Sequence, residues 1–464
     1  MRNAINIEEL GRGKVSSLLW KYALPAIIGT SVNSLYNIID GIFVGHWIGD
    51  DALSGLGIVM PIMNLTAAVG MLVGAGSSSR VSIALGEDNR KMAEKIAGTS
   101  FMMSLLLSGG VIALIYIFLK PILIFAGANA DTLPYAYDFL IVFLPGNLFL
   151  SLCFNFNNVM RASGYPIKAM ITMFVTVIAN IILAPIFIKG FGWGIKGAAA
   201  ATFAAMFIGF LFVMQHFLSP MSYIRLKKEY ILKKLDFQIV KSIASIGMAP
   251  FFIQIASSAV VFFIIAQLNA FGGENGTRAI GAYTIANRLI MLMVMVIIGL
   301  TQGMQPIVGF NYGAKNYKRV KDTLNYTIKV SVVIMTISFA LCQSIPQILV
   351  GIFGPDKLLA DESALALKYF TSMFSLVGFQ IVISNFFQSI GMAPKAIFLS
   401  LSRQVILLIP LLFIFPKFWG LKGVWLSVPA SDCVATLIAL GFYIYIIRKL
   451  NKMEGARLQS TQTD

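Results

Sequence analysis

The sequence predicts an all-α polytopic membrane protein: twelve transmembrane helices in two six-helix lobes, related as a parallel pseudo-two-fold repeat. Three observations predict it. Hydrophobic residues make up 58% of the 464, and charged residues 12%, about half the ~25% of an ordinary soluble domain. Apolar runs recur along the whole chain, each near the ~20 residues that cross a ~30 Å hydrocarbon core. The second half repeats landmarks of the first in order.

The runs place helices at 17–44, 52–83, 97–119, 135–159, 167–188 and 197–218, and then at 241–270, 280–308, 325–352, 366–390, 396–416 and 423–447. They are continuous rather than alternating, which excludes a porin-like barrel. An even number puts both termini on one side, and loop charge chooses the cytoplasm. With that orientation 23 of the 36 Lys and Arg lie in cytoplasmic segments and 8 in external ones. The net charge of +16 therefore reports topology, and its scatter among loops argues against nucleic-acid binding. The expected site is the plasma (inner) membrane of a bacterial-type cell, with the bilayer as partner and a monomer as the assembly.

The longest basic loop lies mid-chain. Organisation follows as an N-lobe (1–218), a basic cytoplasmic linker (219–240), a C-lobe (241–450) and a polar C-terminal tail (451–464). Pro25 is matched by Pro250; Gly76, Gly86 and Asn89 by Gly303, Gly313 and Asn316; Asn158, Gly164 and Lys168 by Asn385, Gly391 and Lys395; and WGIKG (193–197) by WGLKG (419–423). The offset drifts only between 225 and 227. Six helices per half make the repeat parallel, with a cleft between similar lobes that rocking would open to alternate sides.

Chemistry other than transport has little footing. The sequence contains no HExxH, Walker loop, GxSxG or CxxC, and His46 and His216 stand far apart, so a membrane-embedded enzyme is disfavoured, and no cofactor or structural metal is expected. Cys153, Cys342 and Cys433 lie inside apolar runs and imply no disulfide framework. The first fourteen residues lack the pattern of a secretory leader.

Asp40 is the sharpest residue. Deep in the first apolar run, an ionised carboxylate costs about 2.5–3.5 kcal/mol on insertion scales. Helical spacing sets Asn33, Tyr36, Asn37 and Asp40 on one stripe, where oxygens and amides suit a cation or a proton. Asn180 and Thr202, with Thr176 one turn before Asn180, are read either as part of that site or as interhelical hydrogen-bond glue of about 1 kcal/mol. In the second half Asp40 shifted by 225 meets Ile265, and Arg288, Arg403 and Asp432 stand inside helices instead. Such charges face bundle interiors and pair. Gln254 and Ser258, one turn apart, are candidates to line the cleft with Arg288. So are Met291 and Met295, since thioethers suit a promiscuous apolar surface, though packing explains most methionines. Asn155, Asn157 and Asn158 span two faces, so not all can face the cleft.

The order of motifs resembles the multidrug and toxic compound extrusion (MATE) family over about residues 15–450. DGIFVGHWIGDDALSGLG (40–57), MRASGYPIKAM (160–170) and NIILAPIFIKGFGWGIKGAAAAT (180–202) carry the likeness. The resemblance implies two six-helix lobes, cation-driven export of amphipathic, often cationic compounds, and an ion site among helices 1, 5 and 6 that includes Asp40, Asn180 and Thr202. Its wider superfamily adds a flippase for lipid-linked substrates as the alternative. One departure matters: many bacterial members carry Asn-x-x-x-Asp where this chain has Asn180 and Ala184. With one acid the pocket offers fewer anionic oxygens to Na⁺, which favours H⁺ as the coupling ion while leaving Na⁺ at Asp40 open.

Overall fold

Apolar runs with no polar backbone partners in lipid must close their own hydrogen bonds, and helices do so within one segment. The computed structural model describes residues 7–232 and 235–463, and the side chains of all of these except 33–38, 50, 51, 53, 232, 274 and 460–463. Every regular element among them is helical. The N-lobe contains α1 (Val15–Trp47), α2 (Asp50–Gly86), α3 (Arg90–Ile117), α4 (Leu133–Ala162), α5 (Pro166–Gly190) and α6 (Gly194–Leu218). The C-lobe contains α7 (Phe237–Gly272), α8 (Gly276–Gly313), α9 (Tyr317–Ser344), α10 (Lys357–Thr371 and Phe374–Ser389), α11 (Ala393–Trp419) and α12 (Leu421–Thr463). Ten of these have the length and apolarity to span a bilayer among the described residues, and eleven with the two arms of α10, which meet at 51°. The 33-residue α1 completes the set.

The helices outrun the apolar runs. The ninth starts at Tyr317 rather than 325 and ends at Ser344 rather than 352, the rest forming a short helix Pro346–Gly351. The tenth starts at Lys357 rather than 366 and is bent. Polar first turns are helical where they stand clear of the lipid, which hydropathy cannot register. For the same reason α12 continues past residue 450 into the polar tail, and the linker segment holds a short helix, Lys228–Leu232, and the first turn of α7. Wide π turns at 186–190 and 402–408 adjoin Pro185 and Pro410, whose missing N–H groups leave the helix ladder incomplete.

The duplication is visible in backbone detail. Asp88 and Lys315 take left-handed φ of 57° and 56°, and the Asn that follows each caps the next helix: Asn89 accepts from Met92 N–H at 2.9 Å and Asn316 from Arg319 N–H at 3.4 Å. Where the lobes meet, a Cβ at Gly86 would fall on the Phe310 carbonyl and one at Gly313 on the Ile83 carbonyl. Residues 83 and 310, like 86 and 313, are 227 apart, so α2 and α8 cross on the pseudo-two-fold axis. Beside them Gly76 and Gly247 of α2 and α7 meet carbonyl groups of Ile243 and Leu72. All these contacts lie towards the end of the bundle that holds both chain termini. Towards the other end each lobe closes around its own apolar core, and neither of these two clusters crosses between the lobes.

Candidate functional site

Asp40 sits on the face of α1 that meets α5. Gly29 packs against Met173 of α5. Eleven residues later the helix has returned to within about 20° of the same azimuth and risen about 16 Å. The two helices run in the same direction, so eleven residues past each contact lie Asp40 and Ala184. Val44 and Ile188, one turn further, are buried in one cluster with Ala184, which fits this register. Asp40 Oδ1 is buried with no hydrogen-bond partner among the described side chains. Asn33, Tyr36 and Asn37, expected on the same stripe, have side chains outside the described residues.

One turn below Ala184, Asn180 Nδ2 donates to Thr202 Oγ1 of α6 at 3.1 Å, and Thr202 donates to the Ala198 carbonyl at 3.1 Å. Asn180 Oδ1 is buried with no partner among the described residues. Thr176 lies one turn lower and gives its proton to the Thr172 carbonyl at 3.0 Å. These three line a cavity of about 280 Å³ enclosed by α2, α4, α5 and α6. The described residues include no cluster of three metal-ligating side chains.

Gln254 closes the cavity on the α7 side, its Nε2 donating to Asn64 Oδ1 of α2 at 3.4 Å. Ser258 stands one turn above, and both keep within about 20° of the azimuth of Gly247, where α7 touches α2. On α8, Arg288 lies within about 20° and Met295 within about 40° of the azimuth of Gly299, which packs against Ile27 of α1. Arg288 and Met291 are exposed. Of the expected cleft residues Gln254 lines the cavity, and Ser258, Arg288, Met291 and Met295 are not among its described lining.

Two residues of this site escape a sequence reading. Arg161 counts as a loop cation but ends α4, is 3% exposed and lines the cavity. Its fork donates to Asn158 Oδ1 at 2.7 Å and to Gln302 Oε1 of α8. Its position on one helix with Asn157 and Asn158 was the available signal. Asn64, a lone amide in the second apolar run, is the other. Of the three asparagines at 155–158 of α4, Asn155 bonds Ser77, Ser100 and Ser104 inside the N-lobe, Asn157 faces the cavity, and Asn158 holds Arg161.

The C-lobe carries a counterpart. Arg403 and Asp432 fall about one turn from 406 and 428, the equivalents of Asn180 and Thr202 at the 226-residue offset. Arg403 Nε donates to Asp432 Oδ1 at 2.6 Å, with the carboxylate 2% exposed. Gln404 Nε2 donates to Ser257 Oγ of α7 at 3.2 Å.

Residues 25–186 and 248–414 match the family model described as MatE. The multidrug export protein MepA of Staphylococcus aureus (strain NCTC 8325 / PS 47) is 27% identical over 437 residues, spanning 94% of this chain and 95% of that one. Two solved structures, described as MATE in the bent and in the straight conformation, are similar in fold with TM-scores of 0.90. They are 25% and 26% identical, covering 98% and 97% of this chain and 99% and 100% of theirs.

Proposed function

Because the chain belongs to the MatE family, and is therefore a multi-pass membrane transporter rather than an enzyme, we propose that it exports amphipathic, often cationic organic compounds in exchange for protons. The observation that carries this reading is the Asp40 carboxyl on the α5-facing side of α1, its Oδ1 buried with no partner among the described side chains. An ionised group there is costly, so the pocket is stable when a proton or a cation accompanies the acid. Ala184 supplies no second acid, which favours the proton over Na⁺. Protonation changes what α1 presents to α5 and α6, and a difference in that packing between two lobe arrangements biases their equilibrium. The lobes touch through glycine-backed contacts at one end, a geometry suited to rocking about that junction. With both termini cytoplasmic, the open end faces outward.

The flippase alternative needs a strongly cationic cavity. Arg403 is neutralised by Asp432, leaving Arg161 and Arg288, so this reading stands second. Proteoliposomes loaded with a cationic dye such as ethidium, under separately imposed proton and sodium gradients, test the proposal. Efflux should follow the proton gradient alone. Efflux driven by sodium alone overturns proton coupling, and no dye movement under either gradient overturns export.

A further inference from the structure

A buried guanidinium ordinarily meets a carboxylate, because an unpaired internal charge is costly. Arg161 meets none among the described residues. It is 3% exposed, and its described partners are two neutral amide oxygens, on Asn158 and Gln302. Of the described residues lining the cavity it is the one charged side chain. The remaining wall is amides, hydroxyls and apolar groups, among them Asn157, Thr172 and Met71. Two of the five N–H donors of an arginine fork serve those amides, and the fork geometry is suited to a planar or tetrahedral oxyanion. The partner on α8 belongs to the opposite lobe.

We infer that Arg161 is a specificity-determining residue that receives an acidic group of the ligand, a carboxylate or phosphate on an amphipathic body, in exchange for Gln302. Occupancy by such a ligand then breaks a contact between the lobes, so the acidic group is sensed at the junction as well as bound. The inference rests on the export reading only in taking the cavity's ligand as the transported compound.

The probe is dansylglycine against its methyl ester, two fluorophores differing in one ionised group, titrated into the purified full chain in nanodiscs. The parent protein should prefer the acid by about tenfold or more, the scale of a charge-assisted bidentate contact. Arg161→Gln should erase the preference by weakening the acid alone, and Arg161→Lys should retain part of it. Gln302→Leu leaves the fork intact, removes the competing acceptor and should tighten the acid severalfold, which keeps the test decisive even where Arg161→Gln does not fold. Short-chain phosphatidic acid and free benzoate then compete separately: displacement by the first assigns a lipid headgroup as source, and by the second a soluble acid. Displacement by neither, equal affinity of the parent for acid and ester, or equal weakening of both probes by Arg161→Gln overturns the inference. A chain that distinguishes acid from ester yet moves no ethidium keeps this inference and loses the export reading. One that exports ethidium without distinguishing the probes does the reverse.

Discussion

The two lobes solve one electrostatic problem in opposite ways. In the N-lobe the acid on α1 has one buried oxygen with no partner among the described side chains. In the C-lobe the acid on α12 is held by a guanidinium at 2.6 Å. A covalently tethered cation cannot leave, so Asp432 has no need of an exchangeable ion. Duplication supplied the same scaffold twice; the C-lobe acid is internally paired, and the proposed exchange falls to the N-lobe acid, for which the described residues supply no such cation.

The largest effect should come from the acid on α1. Asp40→Asn keeps shape and hydrogen-bonding capacity and removes the titratable charge. Gradient-driven dye efflux should fall to the level of empty liposomes while dye binding and the thermal transition persist. Residual efflux near that of the parent would mean that the paired C-lobe site also exchanges ions, and the contrast between lobes would fail.

The next test addresses the paired acid. Arg403→Met leaves Asp432 buried without a counter-charge, a situation that costs about 3–5 kcal/mol in soluble proteins. Adding Asp432→Leu removes the stranded acid and should recover most of that stability. A double-mutant cycle on the thermal transition in detergent measures the coupling. Additive losses would show that the pair is solvated rather than mutually dependent.

Ala184→Asp sharpens the contrast from the other side. Position 184 is level with Asp40, so a second carboxylate there gives the pocket two anionic oxygens for a hard cation. Sodium at ten times the dissociation constant should stabilise this variant by about 1.4 kcal/mol, with a smaller response from the parent at the same ionic strength. Equal responses would place residue 184 away from the ion. The two acids should titrate as a coupled pair.

How far these contrasts were legible in the sequence depends on the kind of signal. Asp40 and Asp432 stood out because a charge inside an apolar run is rare, and Gln254 and Ser258 because one stripe of α7 carries them. The twelve runs gave the spans, but the first turns of α9 and α10 are polar and helical, which no hydropathy pattern distinguishes from loop. Arg161 was hidden because a cation near the end of a run looks like a loop cation. Its partner Gln302 lies 141 positions away in sequence.

The smallest effect compares how the equivalent helices α1 and α7 begin. Lys14 caps α1 without a side-chain bond. Asp236 caps α7, accepting from the N–H groups of Gln238 and Ile239 at 3.0 and 3.4 Å, and from Lys95 of α3 at 2.7 Å. The C-lobe's first helix is thus tied to the N-lobe. The Lys95 bond, joined by the two N–H groups, holds the Asp236 carboxyl below the usual carboxylate range. A depressed pKa contributes stability that is present above the unfolded-state value near 3.9 and is lost as pH falls through the folded-state value. Asp236→Asn should therefore lower the thermal transition by about 1 °C at pH 7, the scale of an exposed ion pair, and the difference should vanish only as pH falls below the depressed folded-state value, where the parent's carboxyl is itself protonated. Lys14→Asp offers the opposite arm. It places a cap on α1 where none exists, and a gain of comparable size at pH 7 would show that the asymmetry between the two helix starts lies in the cap itself. A pH-independent loss for Asp236→Asn would instead assign its effect to packing.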